Sequence, residues 1–128
     1  MLFDIWAEAA EHAISVMPAR TYGQHATVTS WGAVLAQWGM PLADAIDRLP
    51  ALRDASLWVS LSGAAGTSAA LGPEAPATRT ALAEALNLRD PGRSWHTDRG
   101  PILRIAEWMA DVVSTLGGLG DSLIGLAA

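Results

Sequence analysis

The sequence predicts an all-α chain built of long antiparallel helices, and three observations carry that reading. Apolar residues recur at helical spacing along most of its 128 residues. In two stretches the steps of three and four continue over many turns, which is the seam of coiled coils and long bundles. Glycine and proline mark the breaks between stretches.

Leu2, Ile5, Ala9, Ala13 and Val16 form the first stripe. Pro18 to Ala26, which contains Gly23, separates it from the second helix, for which Thr27, Thr29 and Ser30 are N-cap candidates. The second stripe runs through Trp31, Leu35, Trp38, Leu42, Ala45, Leu49 and Leu52. Pro41 and Pro50 lie inside it. An interior proline costs about 3 kcal/mol and kinks a helix, yet the seam keeps its phase across both, which predicts one bent helix. Ser62 to Pro76, rich in Gly, Ser, Ala and Pro, is expected to be a loop, followed by a shorter helix over about Ala75 to Leu88. Arg89 to Gly100 is a second loop, and Pro101 suits the first turn of the last helix. That helix carries the third stripe, Ile102, Ile105, Met109, Val112, Leu116, Leu119, Leu123 and Leu126. Gly117, Gly118 and Gly120 each weaken it by up to about 1 kcal/mol relative to alanine, a cost that a close crossing by another backbone would offset.

Composition bounds the function. The length fits one domain at most. Apolar residues make up 51% and charged residues 16%, which predicts leftover apolar surface of the kind that marks an interface. The net charge is −5 and all eight cations are arginine, so no basic footprint for nucleic acid exists. The absence of cysteine excludes disulfides and thiolate chemistry and suits a cytoplasmic protein. Met1-Leu2-Phe3-Asp4 lacks the basic start of a signal peptide. Val112 to Ala128 is interrupted by Asp121 and four glycines, which argues against a membrane span. His12, His25 and His96 are scattered without metal-ligand spacing, so no metal and no cofactor are expected.

Three segments could carry chemistry. Arg20-Thr21-Tyr22-Gly23-Gln24-His25 is a polar turn running toward a helix N-terminus, whose free N–H groups and dipole suit a carboxylate; an ordinary polar turn with a cap is the other reading. Ser62-Gly63-Ala64-Ala65-Gly66-Thr67-Ser68 would let backbone approach a ligand closely, but it lacks the lysine of a P-loop, which excludes nucleotide binding. Ser94-Trp95-His96-Thr97-Asp98-Arg99 could line a pocket or simply anchor a loop.

In order, the segments resemble a known series. Met17 to Ala26 with Gly32 resembles the pattern M-x-x-R-T-H-G-Q-x-A-x-P-T-x-x-G, Leu61 to Thr67 resembles L-G-G-A-A-G-T, and Trp95 to Arg99 resembles W-H-T-Q-R. These are motifs of the fumarase/aspartase superfamily, the last of its cycloisomerase branch. The resemblance implies a partial domain over residues 1–128, part of a central helical bundle, with the N-terminal and C-terminal parts of the family fold missing. It implies a homo-oligomer, in full-length members a tetramer, acting on a small polycarboxylate by addition or elimination beside a carboxylate. In the cycloisomerase branch the reaction is lactonisation of 3-carboxy-cis,cis-muconate; adenylosuccinate lyase is an alternative member.

By that resemblance Tyr22 stands at the position of a proton-transferring histidine, beside His25. Arg20, Thr21, Gln24, Gly66, Thr67, Ser68, His96 and Arg99 would bind substrate. A free phenol ionises near about pH 10, so it donates a proton at neutral pH but is a poor base. Val28 replaces the motif's proline, and the family's mobile loop G-S-S-x-M-P-x-K-x-N is not found in the chain. The expectation is therefore a chain that is inactive alone. The competing reading is a non-enzymatic helical association module.

Overall fold

The computed structural model describes residues 2–127, with side chains from Asp4 onward; Met1, Ala128 and the apolar stripe's Leu2 side chain lie outside what is described. The element order is α1 (Leu2–Glu11), β1 (Val16–Thr21), β2 (Gln24–Ser30), α2 (Trp31–Asp47), α3 (Leu49–Ser56), α4 (Ala75–Leu86) and α5 (Gly100–Ala127), with short 3-10 turns over Ala69–Glu74. The chain is mainly helical but not all-α. Its contacts divide it into two compact units, one made of residues up to 47 and from 109 onward, the other of residues 48–108.

In the first unit α1 packs on α2, burying Ala9 and Leu35. A side chain at Gly39 would come within 3.2 Å of Ile5 Cγ2, so α1 lies close over that point. Trp31 and Trp38 meet edge to face at 5.4 Å, a favourable geometry for aromatic quadrupoles. The first stripe ends early: α1 stops at Glu11, and Val16 points into solvent from a strand.

The segment expected to be a simple turn is a β-hairpin. β1 and β2 pair antiparallel from Val16↔Ser30 to Thr21↔Gln24, with one extra residue in β2 between Val28 and His25. Two residues, Tyr22 and Gly23, close it with φ +50° and +71°. Positive φ at both positions is the type I′ hairpin loop, whose twist matches that of the strands. The β-branched run Thr27-Val28-Thr29 favours the strand that follows. Of the three cap candidates, Ser30 alone acts as one, its Oγ accepting the Ala33 N–H at 3.2 Å.

The second stripe is two helices. Pro41 is accommodated inside α2, but α2 ends at Asp47, and Pro50 sits in the first turn of α3. Proline lacks only an N–H that is unpaired there in any case, so ending one helix and starting another costs less than a second interior kink.

In the second unit Val59, 1% exposed, and Pro101 are the fully buried centre. The backbone at 57–59 bridges Arg89, with Val59 N–H donating to Arg89 O and Arg89 N–H to Leu57 O, both at 2.9 Å. α4 ends on Asn87, which adopts the left-handed conformation common at helix ends. Pro101 is the second residue of α5, as its sequence position predicted.

Asp90 ties the loop after α4 back to that helix. Its carboxylate accepts the Gly92 N–H at 2.8 Å, Arg79 Nε at 2.6 Å and Thr80 Oγ1 at 2.8 Å. The Gly92 N–H first, then the Arg79 guanidinium, hold the carboxyl below the ordinary Asp value. A lowered folded-state pKa stabilises above the unfolded value of about 3.9, and that stabilisation is lost as pH falls through the folded value. Asp90→Asn should therefore lower the urea midpoint at neutral pH and follow a flatter acid limb, the two proteins converging at the lowest pH. Parallel curves would show that Asp90 does not couple to folding.

α5 leaves much of its seam in solvent: Ile102, Met109, Leu116 and Leu123 are exposed, together with Val113 and Ile124. A Cβ at Gly117, Gly118 or Gly120 would meet nothing within 4 Å. Within the described chain these glycines mark no helix crossing. Among the described residues no helix is long and apolar enough to cross a membrane.

Candidate functional site

The hairpin sorts its polar residues by face. Arg20 pairs with His25 and Thr21 with Gln24, and successive strand residues point to opposite faces. Thr21 and Gln24 therefore share one side of the tip, and Arg20 and His25 the other. Tyr22, at the apex, is fully solvent-exposed at 101%. Arg20 Nη1 donates to the Gly125 carbonyl in the last turn of α5 at 2.5 Å, so part of its guanidinium is committed to backbone. A cleft of about 350 Å³ beside the hairpin is lined by Met17, Arg20, Thr29, Gln37, Trp38 and Ser122.

The helix N-terminus that the turn was expected to lead into is not an open anion site. The first N–H groups of an α-helix lack intrahelical partners. In α2, Trp31 N–H donates to Ser15 O at 2.8 Å, Gly32 N–H to His12 O at 2.9 Å, and Ala33 N–H to the Ser30 cap. The exit of α1 has taken the place of a ligand, and β2 stands between the polar tip and the helix start.

In the second unit the glycine-rich loop folds on itself. Gly66 N–H donates to Gly63 O at 2.8 Å, Gly63 N–H to Thr67 O at 2.6 Å, and Ser68 Oγ to Leu61 O at 3.4 Å. The Ser68 hydroxyl is thus turned onto its own loop, while Thr67 is exposed. Gly66 has φ +74° and lies against His96. Arg99 precedes α5, its carbonyl accepting the Leu103 N–H at 2.9 Å. The structure therefore joins Gly66 to His96, Arg20 to His25 and Thr21 to Gln24.

Sequence reasoning offered a loop anchor at Trp95 but missed the partners that hold the Trp95–Arg99 loop. Trp95 Nε1 donates to Val59 O at 2.8 Å. Its ring meets Trp58 edge to face at 6.3 Å. Arg93 and Arg104 lie over the Trp58 ring at 5.5 and 5.7 Å, within cation–π range. Arg104 also reaches Ser56 Oγ at 3.3 Å and the Ala55 carbonyl. Asp98 accepts Arg93 Nη2 at 2.7 Å and the Gly100 N–H at 2.9 Å; Arg93 first, then that N–H, lower its pKa. The legible signal was Asp98 two residues before Gly100, a spacing at which aspartate bonds local backbone. Among the described residues no group of three or more His, Asp or Glu comes together as a metal site.

A profile of the family described as Lyase matches residues 2–128. The 3-carboxy-cis,cis-muconate cycloisomerase of Pseudomonas aeruginosa is 38% identical over 120 residues, which cover 93% of this chain and 26% of that protein. The enzyme of the same name from Bradyrhizobium diazoefficiens is 38% identical over 111 residues, covering 87% of this chain and 25% of its own. The crystal structure of 3-carboxy-cis,cis-muconate lactonizing enzyme from Pseudomonas putida superposes with a TM-score of 0.89 at 35% identity, over 94% of this chain and 28% of that one. The chain thus spans about a quarter of the length of the curated relatives it matches.

Proposed function

The chain belongs to the lyase family of the fumarase/aspartase superfamily, and from that premise we propose that it is a segment of an enzyme that lactonises 3-carboxy-cis,cis-muconate. The observation that carries the reading is 38% identity along 93% of the chain to a cycloisomerase of that name.

The chemistry asks for groups of the kind this chain supplies. A carboxylate oxygen of the substrate bonds to one alkene carbon. The electron pair displaced moves to the neighbouring carbon beside another carboxylate, and a proton is delivered there. The lactone therefore carries one proton more and one negative charge fewer than the carboxylate it came from, and solvent returns that proton to the acid. Two kinds of protein group help: donors aimed at the carboxylate where charge builds, and an acid for the carbon. Thr21 and Gln24, side by side at the hairpin tip, act as donors; in the second unit His96 and Arg99 serve as carboxylate-binding groups with Thr67, and Gly66 lies against His96. The Tyr22 phenol is the acid. His25 and Arg20 occupy the hairpin's other face, where Arg20 is partly engaged by Gly125.

The exposed seam of α5 supports association of copies in the whole protein, since an apolar patch of this kind marks an interface. The 128-residue chain alone, a quarter of the length of its relatives, is expected to associate without turning over substrate. A direct assay follows the loss of conjugated-diene absorbance when the whole protein meets 3-carboxy-cis,cis-muconate. Turnover of adenylosuccinate in its place would overturn the substrate, and turnover by the isolated chain would refute the expectation that it is inactive alone. Light scattering on the isolated chain checks the association, which a stable monomer would refute.

A further inference from the structure

We infer that Gly66 is a positioning residue: by lacking a Cβ it lets His96 Cβ lie against the glycine-rich loop and so sets where the imidazole it carries stands. The geometry is specific to this pair. A Cβ at Gly66 would stand 3.3 Å from His96 Cβ, a contact that only a shift of a few tenths of an ångström relieves, and 3.5 Å from Cγ and Cδ2, in ordinary van der Waals contact. The backbone around His96 has little room to give. Before it, the Trp95 indole is bonded to Val59 O; after it, Asp98 N–H bonds Trp95 O at 3.0 Å and its carboxylate holds Arg93 and Gly100 N–H. His96 N–H itself faces Ser94 Oγ at 3.4 Å. An added methyl group therefore presses on His96 Cβ, which no side-chain torsion moves, so His96 shifts as a whole and carries its ring with it.

The catalytic meaning of this rests on the reading of His96 as a substrate contact; the positioning itself does not. Gly66 also has φ +74°, where alanine is strained whatever its neighbours. Gly92 separates the two effects: it has φ +68° in the neighbouring loop, with nothing within 4 Å of an added Cβ. Gly66→Ala and Gly92→Ala share the backbone strain and differ in the contact with His96.

Ring resonances of His96, identified by their disappearance in His96→Gln, provide the readout. Gly66→Ala should move them and Gly92→Ala should not, at a similar loss of melting temperature in both. Gly66→Asn, whose side chain tolerates the left-handed region, repeats the measurement should the alanine variant not fold. In the whole enzyme Gly66→Ala should raise KM about tenfold, since small misplacements of a contact group are costly. In the His96→Gln background the same change should raise KM no further, the signature of one residue acting through another. His96 signals unmoved by Gly66→Ala, or moved equally by Gly92→Ala, would overturn the inference. Moved signals with a KM indifferent to His96→Gln would leave the positioning standing and remove His96 from the substrate.

Discussion

Gly32→Ala is expected to destabilise the protein by about 3 kcal/mol, at the upper end of what overpacking costs. Gly32 is the second residue of α2, where α1 makes its exit across the helix start. A Cβ there would lie 2.4 Å from Ala9 O, 2.7 Å from Ala13 Cα and 2.8 Å from Ala13 N. Those neighbours are backbone atoms and cannot rotate away as a side-chain tip would. They are also held where they are, because Gly32 N–H donates to His12 O and Trp31 N–H to Ser15 O. Moving α1 aside to admit a methyl group would stretch both bonds and strand the N–H groups at the start of α2. Helix propensity alone predicts the opposite sign, alanine being better than glycine by about 1 kcal/mol. Gly117→Ala supplies that baseline, since a Cβ there meets nothing within 4 Å; it should gain about 0.5–1 kcal/mol. Urea unfolding of the two variants beside the parent decides the matter. An unchanged midpoint for Gly32→Ala would mean that α1 does not cross α2 as closely as the structure has it.

Gly32 also shows how far the sequence could be read. Its place in the M-x-x-R-T-H-G-Q pattern was visible, but its physical role depends on where residues 9–15 return, and no local pattern gives that. Helices with their own period and clear breaks on either side were legible: the α4 segment, and α5 with Pro101 in its first turn, lie where spacing placed them. The hairpin was not, because Pro18, Gly23 and the polar residues around them read equally well as a loop. Only the alternation of Thr27 and Thr29 with Val28 and a two-residue Tyr-Gly separation hinted at paired strands. Pro50 misled for the reverse reason: an unbroken apolar phase persists across a helix end when the next helix starts almost at once.

The same asymmetry holds for the site. The three polar segments were legible as segments, since small, polar and glycine-rich residues interrupt an otherwise apolar chain. What each side chain does was less so. The carboxylate-binding helix start proposed from sequence is closed by the carbonyls of Ser15 and His12 and by Ser30. Ser68 faces its own loop. The clamp formed by Trp58, Arg93, Asp98 and Arg104 around the Trp95–Arg99 loop rests on pairings across long sequence separations, such as Trp95 with Val59 and Arg104 with Ser56. Such pairings leave no periodic trace.

Tyr22→Phe is expected to lower turnover of the whole enzyme by about 100-fold or more, the range of a general acid's contribution, while leaving its melting temperature unchanged. The motive is a conflict between fold and residue. Tyr22 sits at the first position of a type I′ loop with φ +50°, where asparagine, aspartate or glycine is preferred. A left-handed conformation costs an ordinary residue about 1–2 kcal/mol, and a side chain 101% exposed recovers nothing by packing. Strain held at an exposed polar tip points to use rather than to folding. Tyr22→Asn separates the two roles: it should raise stability by about 1 kcal/mol through relief of that strain and still lose turnover as Tyr22→Phe does. Tyr22→His restores a proton donor and should retain activity. Each variant needs a melt and a kcat measured on the same preparation, because only the pair of values distinguishes a lost acid from a lost fold. Full turnover by Tyr22→Phe would refute the phenol as the acid. A Tyr22→Asn protein that is no more stable than the parent would refute the strain from which the argument starts.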